Sequence, residues 1–184
     1  TASGIRIGLL SYQTFNGQYP RLQTQVPNDI ANMKAQADIV LVSYHWGEEE
    51  DYAPNARQQQ LGRLTIDAGA DLVVGHHSHR INPIELYNGK YIVYSLANFS
   101  FAGNNKPSDM SSFIFQTRFA VKDGVPQPYG FRIIPMRISS KTDYNDFIPT
   151  PFTDQRLIDN VINVLLSNGK KLEYAVAAYP QDWE

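Results

Sequence analysis

Apolar positions in the first half of the chain follow two periods in turn. Ala37-Asp38-Ile39-Val40-Leu41-Val42 and Ala70-Asp71-Leu72-Val73-Val74-Gly75 are short apolar runs rich in Val and Ile and bounded by polar residues. Such runs read as buried strands of a parallel or mixed sheet. A helical pattern precedes each. The first is predicted over about 27–37, with Ile30, Met33 and Ala37 on one face; the second, over about 54–68, sets Leu61, Leu64, Thr65 and Ala68 at i, i+3, i+4 and i+7. Pro27 and Pro54 near the two starts and Gly69 just past the second helix are the expected punctuation.

Farther along, Ile81 to Tyr87 and Tyr91 to Ser95 flank Asn88-Gly89, a strong short-range hairpin signal. Residues 102–112 are rich in Gly, Asn, Lys, Pro and Ser and read as an exposed loop. Ser112 to Lys122 and Tyr129 to Ile138 are predicted to be two long strands, joined at Asp123-Gly124, of a second sheet packed on the first. Thr153 is expected to cap a last helix ending near Gly169, with Leu157, Ile158, Val161, Ile162 and Leu165 as its apolar face. The tail to Glu184, with Tyr174, Tyr179 and Trp183, either docks on the body or binds a neighbour. The expected organisation is one domain part over 1–150, with the last helix and tail (151–184) packed on it.

With 184 residues, 42% of them hydrophobic, the chain has the size and apolar content to bury one core. A net charge of −2 without basic clusters gives no electrostatic case for nucleic acid or an anionic membrane. The absence of cysteine excludes disulfides and thiolate metal sites. No apolar stretch approaches the ~20 residues of a membrane span, and no signal-like segment is visible.

The chain's four histidines lie directly after the two strand-like runs: His45 after the first, His76, His77 and His79 after the second. Both groups therefore belong to the carboxyl ends of neighbouring strands, the edge of an open α/β sheet where ligands bind. Imidazole is the commonest metal ligand, and a His-x-His pair such as His77 and His79 can aim two ring nitrogens to one side of an extended segment. Joined to His45 and to the acids that follow it, the set suits zinc, iron, nickel or manganese. His76 either joins the site or points to the opposite face. Within Glu48-Glu49-Glu50-Asp51, the residues Glu48, Glu50 and Asp51 read as solvated charge.

His45-Trp46-Gly47-Glu48-Glu49, Gln60-Leu61, Asp67-Ala68-Gly69-Ala70-Asp71, Gly75-His76-His77-Ser78-His79 and Tyr94-Ser95-Leu96-Ala97-Asn98-Phe99 together resemble the CapA family of bacterial capsule and poly-γ-glutamate synthesis proteins. That family is similar in turn to calcineurin-like metallophosphoesterases. The resemblance implies a two-sheet α/β sandwich of metallophosphoesterase type, of which this chain is similar to the C-terminal half only. Residue by residue, it implies His45, His77 and His79 as metal ligands. Glu49 matches the acid of the His-Trp-Gly-x-Glu motif and Asn98 the asparagine of Ser-Leu-Gly-Asn-Phe, where Ala97 stands in place of the glycine. His76, Glu49 and Asn98 are the candidate catalytic residues, although Asn98 has a turn-capping alternative. The family's earlier Asp, Gly-Asp and Asn-His motifs have no counterpart here, so half of a two-metal shell of manganese, iron or zinc is expected to lie in an N-terminal half of the same domain.

The same resemblance implies an extracytoplasmic protein, held at the cell surface by an anchor outside this chain. Its activity would be metal-dependent hydrolysis of phosphoesterase type on a phosphate ester or an anionic polymer. Two alternatives stay open. One is a non-catalytic binding component that works with envelope polymer-synthesis proteins, since fold does not fix function; the other is an enzyme of γ-glutamyl amide bonds.

Overall fold

The computed structural model describes residues 4–122 and 125–183, so the turn expected at Asp123-Gly124 lies outside the described residues. The two helix-strand units form as the pattern predicts. Strand β1 (Ile7–Gln13) leads to helix α1 (Tyr19–Lys34), β2 (Ile39–His45), α2 (Ala56–Asp67) and β3 (Leu72–His76). The Asn-Gly hairpin follows as β4 (Ile84–Tyr87) and β5 (Lys90–Val93), and both turn residues take positive φ, 47° at Asn88 and 72° at Gly89. That is the backbone of a type I′ turn, which matches the twist of the paired strands.

These five strands make one sheet in the order β1-β2-β3-β5-β4, parallel except for the β4–β5 hairpin. Strands β6 (Ser111–Lys122), β7 (Val125–Arg137) and β8 (Thr150–Pro151) make a second, antiparallel sheet, and α3 (Gln155–Gly169) ends the series. Period-two alternation divides the first sheet's residues between two cores. Val40, Val42, Tyr44, Val73, Ile92 and Tyr94 pack with Leu22, Val26 and Ile30 of α1 and Leu61 and Ile66 of α2. On the opposite face Leu72, Ile84, Tyr91 and Val93 meet Phe113 and Ile133 of the second sheet and Val161 and Leu165 of α3. Each such side chain contributes roughly 1.5–3 kcal/mol when removed from water. The architecture is the expected two-sheet α/β sandwich.

Helix α1 departs from its expected bounds. It starts two turns earlier, at Tyr19-Pro20, and takes Pro27 into its interior. An interior proline forgoes a helical hydrogen bond, and the burial of Leu22, Val26 and Ile30, spaced by four, offsets that cost. Ala37 falls beyond the helix, which ends at Lys34. For α3 the cap is Asp154, whose carboxylate accepts from the Arg156 N–H, rather than Thr153, and Leu157 remains exposed.

The tail docks on the body. Ala175 bridges Glu85 on the outer edge of β4, the Tyr179 hydroxyl accepts from the Ile84 N–H at 3.1 Å, and the Ile133 N–H donates to the Pro180 carbonyl at 2.8 Å. Beneath it, the fully buried Glu85 accepts two hydrogen bonds from Arg63 of α2, at 2.7 and 3.2 Å, and one from the Tyr94 hydroxyl at 2.8 Å. This paired charge fastens α2 to the hairpin.

Candidate metal centre

His45 and His76 occupy opposite positions in the parallel register of β2 and β3, so both histidine groups emerge at one edge. Trp46 fixes that edge. Its indole is fully buried, stacks on Tyr44 at 4.4 Å between ring centroids and donates from Nε1 to the Tyr94 carbonyl at 2.9 Å, while its backbone N–H donates to the His76 carbonyl at 3.1 Å. The chain just past β2 is thereby tied to β3 and to the end of β5. Gly75 lies beside the indole, and a Cβ there would sit 2.1 Å from the Tyr94 carbonyl oxygen and 2.3 Å from Trp46 Nε1.

Beyond this anchor the side chains converge. Glu49, His77 and His79 each offer one ligand atom within 4.8 Å of the others. His77 Nδ1 lies 3.0 Å from His45 Nε2. His79 Nδ1 is 2.6 Å from Asn98 Oδ1. An amide oxygen only accepts, so Nδ1 of His79 donates to it, and Nε2 is the ring atom turned toward Glu49, 4.0 Å from its Oε1. Asn98, buried at this edge, orients the His79 ring, as an outer partner of a metal-bound histidine would. Burial first, and the nearby His45 second, hold both His76 and His77 below the usual imidazole range, which leaves their rings neutral at pH 7.

These donors fit a divalent transition metal. Three imidazoles and a carboxylate are the usual borderline set, and ligand bonds of about 2.0–2.2 Å put two nitrogens of one ion about 3 Å apart, the separation found between His45 and His77. Glu49, the acid expected among the catalytic residues, lies in the same cluster as His77 and His79. His76, half-buried at the end of β3, is not drawn into the cluster.

The backbone that aims these groups is strained. His77 (φ 107°), His79 (φ 55°), Glu50 (φ 67°) and Ala97 (φ 64°) all take left-handed conformations that L side chains disfavour. Ala97 takes, at a conformational cost, the left-handed turn at which the resemblance implies a glycine. The variant Ala97→Gly is expected to stabilise the fold by about 0.5–1 kcal/mol, the left-handed penalty relieved less the entropy glycine adds to the unfolded chain. Chemical denaturation would register this as a higher midpoint at unchanged slope.

The acidic run divides in the same region. Glu50 is not merely solvated: it accepts from the nearly buried Arg80 at 3.0 Å, and Arg80 also donates to Ser108 at 2.7 Å. The loop at 102–112 is thus strapped behind His79 as a rim, with the Phe101 ring 5.0 Å from His79. On the other side opens a cavity of about 620 Å³, bounded by Thr14, Phe15, Tyr19, Glu48, Glu49 and His77 among others. The Phe15 ring sits 4.5 Å from His77 and 5.5 Å from His45. Sequence reasoning missed Phe15 and Arg80. Phe15 follows β1, a parallel neighbour of β2, and any residue just past such a strand shares its ligand-binding edge.

Residues 1–102, which hold all six of the expected site residues, match the family described as bacterial capsule synthesis protein PGA_cap. The chain belongs to that family. It is 58% identical over 72 residues to the PGA biosynthesis protein CapA of Bacillus subtilis (strain 168), covering 39% of this chain and 19% of that protein. It is 48% identical over 68 residues to the capsule biosynthesis protein CapA of Bacillus anthracis, 37% of this chain and 16% of the relative. A third relative, named a probable polyglutamine synthesis accessory protein of Mycobacterium tuberculosis, is 42% identical over 76 residues, 39% of this chain and 20% of its own length. The matched stretch is therefore about a fifth of these relatives or less.

Proposed function

We propose that this chain carries part of a divalent-metal hydrolase site in an extracytoplasmic protein of capsule or poly-γ-glutamate synthesis. The observation that carries the reading is the convergence of Glu49, His77 and His79, with His45 against His77, at the carboxyl edge of a parallel sheet. His45, His77, His79 and Glu49 would hold manganese, iron or zinc, and further residues from an N-terminal half of the domain would complete a two-ion shell. When bound, such a metal polarises a phosphoryl or acyl oxygen and makes water acidic enough to ionise near neutral pH. Asn98, bonded to His79 Nδ1, would leave Nε2 as the atom turned to the metal. His76, at the end of β3, would be the proton acceptor in this reading.

The relatives' names favour an acidic polymer over a small phosphate ester as substrate, which makes the γ-glutamyl amide bond the second reading. Amide hydrolysis releases an amine and ester hydrolysis releases phosphate, so product analysis separates the two. Genetic complementation tests the proposal as a whole. In a bacterium deleted for its own CapA-type gene, the full-length wild-type gene is expected to restore surface polymer, and a His77→Ala version made at equal level is expected to fail. Full restoration by the variant would sink the hydrolase reading and leave a polymer- or partner-binding role.

A further inference from the structure

Arg57, on the first turn of α2, is the cationic side chain on the wall of the 620 Å³ cavity that opens beside His77. Among the described residues it forms no ion pair. Its guanidinium stands 5.6 Å from the centre of the Tyr19 ring, and the Tyr19 hydroxyl is held by Gln60 at 2.8 Å, so an aromatic face with a fixed tilt backs the cation. Asn55 and Gln58 flank it on the same wall, and the capping box of α2 uses the side-chain oxygen of each. Arg57 brings the positive charge to that wall.

The charge of the cavity points the same way. Its lining carries the carboxylates of Glu48 and Glu49 and the guanidinium of Arg57, a net charge of −1 that a divalent ion on Glu49 and the histidines would convert to +1. A cavity of this size lies within the usual range of small-molecule sites. Guanidinium is the side chain whose planar fork matches an oxyanion with two hydrogen bonds.

We infer that this cavity is a carboxylate-binding subsite in which Arg57, backed by Tyr19, receives a side-chain carboxylate of an acidic oligomer whose neighbouring linkage is presented to Glu49, His77 and His79. The inference rests on the metal-site reading with an acidic polymer as substrate, and adds the residue that recognises that polymer. Arg57 acts as a specificity residue: it selects a chain bearing an anionic group one residue from the reacting linkage, and it takes no part in holding the metal.

Calorimetric titration of the full-length manganese-loaded protein with tri-γ-glutamate, its uncharged tri-γ-glutamine counterpart and inorganic phosphate tests this, beside Arg57→Gln and Arg57→Lys variants. The expected result is that Arg57→Gln weakens tri-γ-glutamate at least tenfold, Arg57→Lys recovers part of the loss, neither changes metal content, and tri-γ-glutamine is indifferent to both. Unchanged tri-γ-glutamate affinity in Arg57→Gln, or equal wild-type affinity for the amide oligomer, overturns the subsite. Arg57-dependent binding of phosphate tighter than that of tri-γ-glutamate overturns the carboxylate assignment. Metal retained with any of these results means that the subsite alone has failed, whereas a wild-type protein that holds no manganese fails at the underlying metal site.

Discussion

Replacing Gly75 with alanine is expected to destabilise the protein by about 3–5 kcal/mol, the sum of overpacking a core position and disturbing a buried hydrogen bond. The cause is steric, because Gly75 does not need a left-handed backbone. The added methyl would meet the Tyr94 carbonyl oxygen at 2.1 Å and Trp46 Nε1 at 2.3 Å, the two atoms that bond each other at 2.9 Å. Neither can retreat easily. Tyr94 directly follows β5, and the Trp46 indole is fully buried against Tyr44. Gly89 supplies the comparison: it has φ of 72° and nothing within 4 Å of a built Cβ, so Gly89→Ala is expected to lose only the left-handed penalty of about 1–2 kcal/mol. Urea denaturation of both variants would decide the point. A Gly75→Ala loss no larger than that of Gly89→Ala would mean the indole is not pinned under β3. Because Gly75 precedes His76 and His77, the variant should disturb the histidine edge as well.

The second large effect belongs to His77. This side chain is the junction of the cluster, near Glu49 and His79 on one side and 3.0 Å from His45 on the other. Its removal takes away one donor and the partner that orients another, and metal affinity is expected to fall by more than the roughly 10–100-fold typical of losing an outer partner alone. Asn98→Ala supplies that smaller step, since it leaves every donor in place and frees only the tautomer and tilt of His79. The fold should tolerate the His77 change, because the ring is only half-buried. Metal loss without loss of helical signal is the expected pattern.

The site's edge was legible because two apolar runs end where the histidines begin, and a parallel sheet brings such ends together. The hairpin was legible from Asn88-Gly89, whose two residues accept positive φ at low cost. The start of α1 was not, because two prolines compete for it and only the burial of Leu22 and Val26 chooses Pro20 over Pro27. Thr153 and Asp154 are adjacent, equally suitable caps, and chain direction alone selects the second. The docking of the tail depends on backbone pairing with Glu85 and on one tyrosine hydroxyl, neither of which leaves a periodic trace in sequence. Arg57 and Phe15 reach the cavity through the relative placement of α2 and β1, which is a long-range property. The left-handed backbone of His77 and His79 is likewise imposed by surroundings such as Ser78, which bonds Ser95 at 3.1 Å.

The central claim is that Glu49, His45, His77 and His79 hold a divalent metal, and elemental mass spectrometry of the full-length protein purified beside its His77→Ala variant tests it most directly. Stoichiometric manganese, iron or zinc in the wild type and its loss in the folded variant is the predicted result. No transition metal in the wild type, even after soaking in all three ions, would contradict it.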